Sequence, residues 1–127
     1  MCMLVVDDSR TTRLLVQAYL VGEELTFCEA SSGREALRRV HTVQPDIVLC
    51  DVFMPELGGW DFVRRLRSAM VSRVRDTAVI LASSKRDPDM EQKSLAAGAD
   101  AFLPKPLASD QLIRVVRRLL KRKDCAH

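Results

Sequence analysis

Residues 47–51 read Ile47-Val48-Leu49-Cys50-Asp51: four apolar side chains in a row that end on a carboxylate. A strand with one face in water alternates polar and apolar residues. An uninterrupted apolar run this short describes a strand covered on both faces, the signature of a parallel sheet flanked by helices. Met3 to Val6 upstream has the same character and ends on Asp7 and Asp8. Leu25 to Ala30, Ala78 to Ala82 and Ala101 to Leu103 supply three more strands.

Helical patterns fill the intervals. Ser9 caps a helix to about Val21, with Leu14, Leu15 and Ala18 on its apolar side. Ser32-Gly33-Arg34-Glu35 has capping-box spacing, Ala36, Leu37 and Val40 follow, and Pro45 closes that helix. Gly58-Gly59 turns the chain into a helix bearing Phe62, Val63 and Leu66. Asp87-Pro88 starts one that runs through Ala97, and Ser109 starts one with Leu112, Val115, Val116, Leu119 and Leu120 inside. The pattern is βα five times. It predicts an α/β (βα)5 fold, a doubly wound five-stranded parallel sheet.

The 127 residues suit one domain, expected over 1–122 with a polar tail at 123–127. No apolar run approaches the ~18 residues of a membrane helix, and no basic leader precedes Met3, so a cytoplasmic location is expected. Cys2, Cys28, Cys50 and Cys125 form no C-x-x-C pair, and His41 and His127 are the two histidines, which argues against zinc. Cys28 and Cys50 read as small buried hydrophobes. The net charge is +3, with Arg114, Arg117, Arg118, Lys121, Arg122 and Lys123 crowded near the end. Basic residues alternating with Val115-Val116 and Leu119-Leu120 describe a solvated amphipathic helix. A nucleic-acid role for this chain alone is not expected.

Ligands of open parallel sheets bind beyond the carboxyl ends of the strands. Asp7 and Asp8 follow the first strand, Asp51 the third, Ser83 and Ser84 the fourth, and Lys105, between Pro104 and Pro106, the fifth. Singly, each reads as a turn or cap residue. Together they place three carboxylates, a hydroxyl and an ammonium on one rim. Clustered carboxylates repel, and hard oxygen donors suit Mg2+ (or Mn2+). With that charge countered, Asp51 becomes a plausible nucleophile toward phosphorus, with Lys105 and Ser83 aiding the phosphoryl oxygens.

Asp7-Asp8, Asp51-Val52-Phe53-Met54-Pro55, Ser83 and Lys105-Pro106, with Ala97-Gly98-Ala99-Asp100-Ala101-Phe102, resemble the receiver domains of two-component response regulators, from Met3 to about Lys121. The resemblance implies the flavodoxin-like strand order 2-1-3-4-5 and a role for each residue. Asp51 is the phosphoacceptor. Asp8, Asp51 and the Phe53 backbone carbonyl ligate the metal, and Asp7 acts mainly through a bound water. Lys105 pairs with the phosphate and is followed by a cis bond to Pro106. Ser83 and Phe102 are the switch residues. Phe53 and Lys85 stand where the family tunes how water reaches the acyl phosphate, and a bulky Phe53 is expected to shield it. Gly58-Gly59 departs from the usual acidic or polar residue followed by glycine, an expected loosening of that loop.

The implied partners are a sensor histidine kinase or a histidine phosphotransfer protein. A downstream protein target would read the face of the fourth helix, fifth strand and fifth helix. The alternative is a receiver fragment of a longer DNA-binding transcriptional regulator. An aspartate-nucleophile phosphatase of the haloacid-dehalogenase-like kind would need an acidic residue where Phe53 stands, so no turnover enzyme is expected.

Overall fold

The computed structural model describes the backbone of residues 1–125 and side chains as far as Arg122. The elements run β1 Cys2–Val6, α1 Arg10–Tyr19, β2 Thr26–Ala30, α2 Gly33–Val43, β3 Ile47–Asp51, α3 Gly59–Arg67, α4 Ser72–Arg75, β4 Ala78–Ser83, α5 Met90–Ala97, β5 Ala101–Pro104 and α6 Ser109–Cys125. All four strand pairings are parallel, in the order β2-β1-β3-β4-β5. The chain therefore reverses direction across the sheet between β1 and β3, which opens a crevice above their carboxyl ends.

Successive strand residues point to opposite faces, so the apolar runs feed two cores. Leu4, Val6, Val48, Cys50, Val79 and Leu81 pack with Val40, Phe62, Leu66 and Met90, under α2, α3 and α5. Met3, Val5, Ile47, Leu49 and Ile80 pack with Val16, Leu20, Leu112, Val116 and Leu119, under α1 and α6.

The caps follow the sequence in two places. Ser9 Oγ accepts from Thr12 N–H at 3.3 Å, and Ser32 Oγ from Glu35 N–H at 3.2 Å, while Glu35 reaches back to Ser31 N–H at 2.8 Å. Elsewhere the structure departs from expectation. Leu14, Leu15 and Ala18 face outward, and α1 buries Val16 instead, with Leu20 buried at its C-cap. Helix α5 starts at Met90, not Pro88, because Asp87 folds its carboxylate onto Asp89 N–H (2.9 Å) and makes a turn of its own. The short α4 fills a stretch with no expected element, so the fourth and fifth expected helices are α5 and α6. Helix α6 continues to Cys125, past the boundary expected at residue 122, and Ala126 and His127 of the expected tail lie outside the described residues. Cys50 is fully buried, whereas Cys28 is half-buried, 3.8 Å from Cys2 sulfur to sulfur.

Candidate functional site: an acidic pocket at the strand ends

The first strand pairs with β3 in a register that sets Val6 beside Cys50, so the residues that follow, Asp7 and Asp51, leave the sheet side by side. Asp7, Asp8 and Asp51 each present a carboxylate oxygen within 4.8 Å of the others. Asp7 is buried, Asp51 half-buried and Asp8 exposed. Asp7 is fixed from two sides: Ser9 N–H donates to its Oδ1 at 2.9 Å, and the Arg13 guanidinium donates to its backbone oxygen at 2.6 Å.

Lys105 arrives from the end of β5, its backbone N–H held by Ser83 O at 2.9 Å and its bond to Pro106 cis. Its ammonium lies 2.5 Å from Asp7 Oδ2 and 3.1 Å from Asp51 Oδ2. Burial pushes the Asp51 carboxyl above its ordinary range and Asp7 adds to this, while Lys105 opposes them. Burial alone would lower Lys105, but its hydrogen bonds and attraction to Asp7 and Asp51 outweigh that and raise it. Lys105 thus stays charged, and one ammonium is left to balance three carboxylates. Hard, anionic oxygens gathered around an excess of negative charge fit a divalent cation of the magnesium type.

Ser83 is buried at the end of β4, where its Oγ accepts from Lys85 N–H at 3.0 Å. Phe102 is half-buried, and with Ser83, Met90 and Lys105 it lines a cavity of about 540 Å³ between the β4–α5 loop and β5. Phe53 N–H leans toward Asp51 Oδ1 at 3.4 Å. At the Gly58-Gly59 pair the chain packs closely against the end of β3. Gly59 N–H bonds Val52 O at 2.7 Å, and a Cβ on Gly59 would meet Asp51 O at 2.5 Å. Asp7, Asp8, Asp51, Ser83 and Lys105 therefore sit on one rim, while Phe102 pairs with Leu81, further down the sheet than Ser83.

Sequence reasoning did not find the ring contacts beside the site. The Phe53 and Trp60 rings meet edge to face, 5.8 Å between centroids, and Lys85 Nζ stands 5.1 Å over the Phe53 ring. Trp60 Nε1 donates to Ser94 Oγ at 3.0 Å. The signal available in sequence was weak: one tryptophan just after the glycine turn.

A five-stranded parallel sheet wound on both sides, with an acidic pocket and a lysine at the switch in strand order, defines a flavodoxin-like α/β protein with its site at the strand ends. The family model of the response regulator receiver domain matches residues 3–117, and the chain belongs to that family. It is 40% identical over 120 residues to "Response regulator MprA" of Mycolicibacterium vanbaalenii, which covers 94% of this chain and 50% of the relative. The chain thus spans about half the length of the curated relatives it matches. Among solved structures it is similar to the chemotaxis response regulator CheY4 of Vibrio cholerae (30% identity, TM-score 0.82, 93% of this chain and 97% of that one). It is also similar to the Francisella response regulator 1452 receiver domain (29% identity, TM-score 0.85, 96% and 98%).

Proposed function

We propose that Asp51 accepts a phosphoryl group from a phosphohistidine on a sensor kinase or a histidine phosphotransfer protein. The observation that carries this is the meeting of Asp7, Asp8 and Asp51 oxygens within 4.8 Å, with the Lys105 ammonium between Asp7 and Asp51.

Asp7, Asp8, Asp51 and the Phe53 carbonyl would hold Mg2+ or Mn2+. The bound ion supplies charge neutralisation between an anionic nucleophile and an anionic phosphoryl group. The residues do the rest. An Asp51 oxygen attacks phosphorus, the P–N bond to the donor histidine breaks, and that bond's electron pair stays on the imidazole. Lys105 stands beside Asp51 to pair with the incoming phosphoryl oxygens, at a distance already set by Asp7. Ser83 gives up its bond to Lys85 N–H and donates to a phosphoryl oxygen. The cavity in front of it is open to Phe102, which moves inward behind it. This carries the change to the face of α5, β5 and α6, where a protein target reads it.

The side chain two residues beyond Asp51 is Phe53, which has no proton to give or take, so the site is read as a self-phosphorylating acceptor with slow hydrolysis rather than a turnover phosphatase. No helix among the described residues is long and apolar enough to cross a membrane, and a cytoplasmic location is part of the same reading. On α6, Arg117 is paired with Glu23 (2.7 and 2.9 Å) and Arg122 lies 3.6 Å from Asp100, which supports a solvated face rather than a phosphate-binding one. The half-length match to the MprA relatives favours one second reading, a receiver that is the regulatory part of a longer regulator.

Incubation with acetyl phosphate and Mg2+, followed by intact mass, tests the proposal. One added phosphoryl group, absent with chelator and absent in Asp51→Asn, is the expected result. Equal uptake by Asp51→Asn would refute it.

A further inference from the structure

Phe53 is a large apolar side chain with 47% of its surface in water, two residues beyond Asp51, whose carboxylate its backbone N–H approaches at 3.4 Å. Nothing in the core accounts for its position. Two neighbours do. The Trp60 indole meets it edge to face, and the Lys85 ammonium lies over its ring. Trp60 is anchored in turn: its N–H donates to the hydroxyl of Ser94, a fully buried residue of α5, and the Lys93 ammonium lies 6.0 Å over its ring. The chain Ser94–Trp60–Phe53–Lys85 thus starts at a buried residue of the otherwise mostly exposed α5, passes through the start of α3 and the β3–α3 loop, and ends on the β4–α5 loop. Lys85 is also the residue whose backbone N–H holds the Ser83 hydroxyl.

We propose that Trp60 is a positioning residue for the aspartyl phosphate: pinned to Ser94, it holds the Phe53 ring against Lys85 and so closes the mouth between the two loops that flank Asp51. This rests on the reading of Asp51 as phosphoacceptor. In hydrolysis, water attacks phosphorus, the bond from phosphorus to the Asp51 oxygen breaks with its electron pair returning to the carboxylate, and the water protons leave with inorganic phosphate. Trp60 takes no part in those bonds. It sets how often water reaches the phosphorus. Because its anchor is on α5, a partner that shifts α5 also changes the lifetime of the phosphoryl group.

The test measures decay of the phosphorylated chain after removal of donor, in wild type, Trp60→Phe, Ser94→Ala and the double variant. Trp60→Phe keeps an aromatic ring and deletes the N–H, and Ser94→Ala deletes its acceptor. Each is expected to speed decay about threefold, the size of one lost hydrogen bond. The double variant should decay no faster than either single, since both remove one bond. A merely structural role would not produce the second readout. Trp60 is the sole tryptophan, so its emission in the wild type should change on adding beryllium fluoride with Mg2+, and Ser94→Ala should diminish that change. Ser94→Ala keeps the test valid if Trp60→Phe fails to fold. Uptake at the wild-type level with unchanged decay in both singles overturns the role of Trp60 alone. A wild type that takes no phosphoryl group overturns the parent reading.

Discussion

Asp51 and Lys105 carry opposite burdens of burial. Lys105 is kept charged by two carboxylates, whereas Asp51 shares its lysine with Asp7 and has its carboxyl raised chiefly by burial. Relative to the unfolded chain, folding therefore makes Asp51 harder to ionise. The stability this gives is complete below the unfolded carboxyl's ordinary range and is lost as pH rises through the folded, raised value. Asp51→Asn cannot ionise, so in metal-free buffer at neutral pH it is expected to melt above wild type. The gap should close as pH falls below the carboxylate range, and thermal melts across pH check this. An Asn variant that melts lower at neutral pH would mean that Lys105 outweighs burial. Asp7, Asp8, Asp51, Ser83 and Lys105 were legible in the sequence because each breaks an apolar strand at its carboxyl end. The Trp60–Ser94 bond was not, since it joins side chains 34 residues apart whose directions depend on how α3 and α5 pack.

Among the elements, α1 shows where pattern reading failed. Leu14, Leu15, Val16, Ala18, Tyr19, Leu20 and Val21 give apolar residues on nearly every side, so the spacing alone does not select a face. The sheet does, by taking Val16 and Leu20. Leu20→Ala is expected to cost about 2–5 kcal/mol, and Leu14→Ala, half exposed, within about 0.5 kcal/mol of zero. Urea midpoints separate the two, and equal losses would return the face to Leu14. Helix α3 is placed by Gly59, whose missing Cβ lets the helix start directly against the carbonyl of Asp51. Gly59→Ala must push that carbonyl or the helix aside. A loss of about 2 kcal/mol, together with weaker Mg2+ binding by titration, is expected. Unaltered metal affinity would separate the helix start from the site.

At the scale of the whole molecule, the five strands and their order were legible because each strand is a covered apolar run and parallel crossovers need helices between them. The connection after α3 was not. Its short α4 is held by tertiary contacts that no local pattern announces. Arg67 is the clearest of these. Its guanidinium donates to Gly98 O (2.9 Å), Arg75 O (2.7 Å), Thr77 O (2.6 Å) and Asp100 Oδ2 (3.0 Å), tying α3 to the entries of β4 and β5 at the end away from the site. Arg67→Ala is expected to cost about 2 kcal/mol, discounted for its quarter exposure, and to leave phosphoryl uptake intact. A variant of wild-type stability would make those bonds incidental.

The opposite end of the sheet carries the account's central claim, that acidic groups from separate strands converge so that one of them becomes an acyl phosphate. Borohydride trapping tests it at the level of the atom. An aspartyl phosphate is reduced to homoserine, and peptide mass mapping of the chain after treatment with acetyl phosphate and Mg2+ should find homoserine at residue 51. Homoserine at residue 7 or 8 instead, or none in a chain that has gained a phosphoryl group, would contradict it.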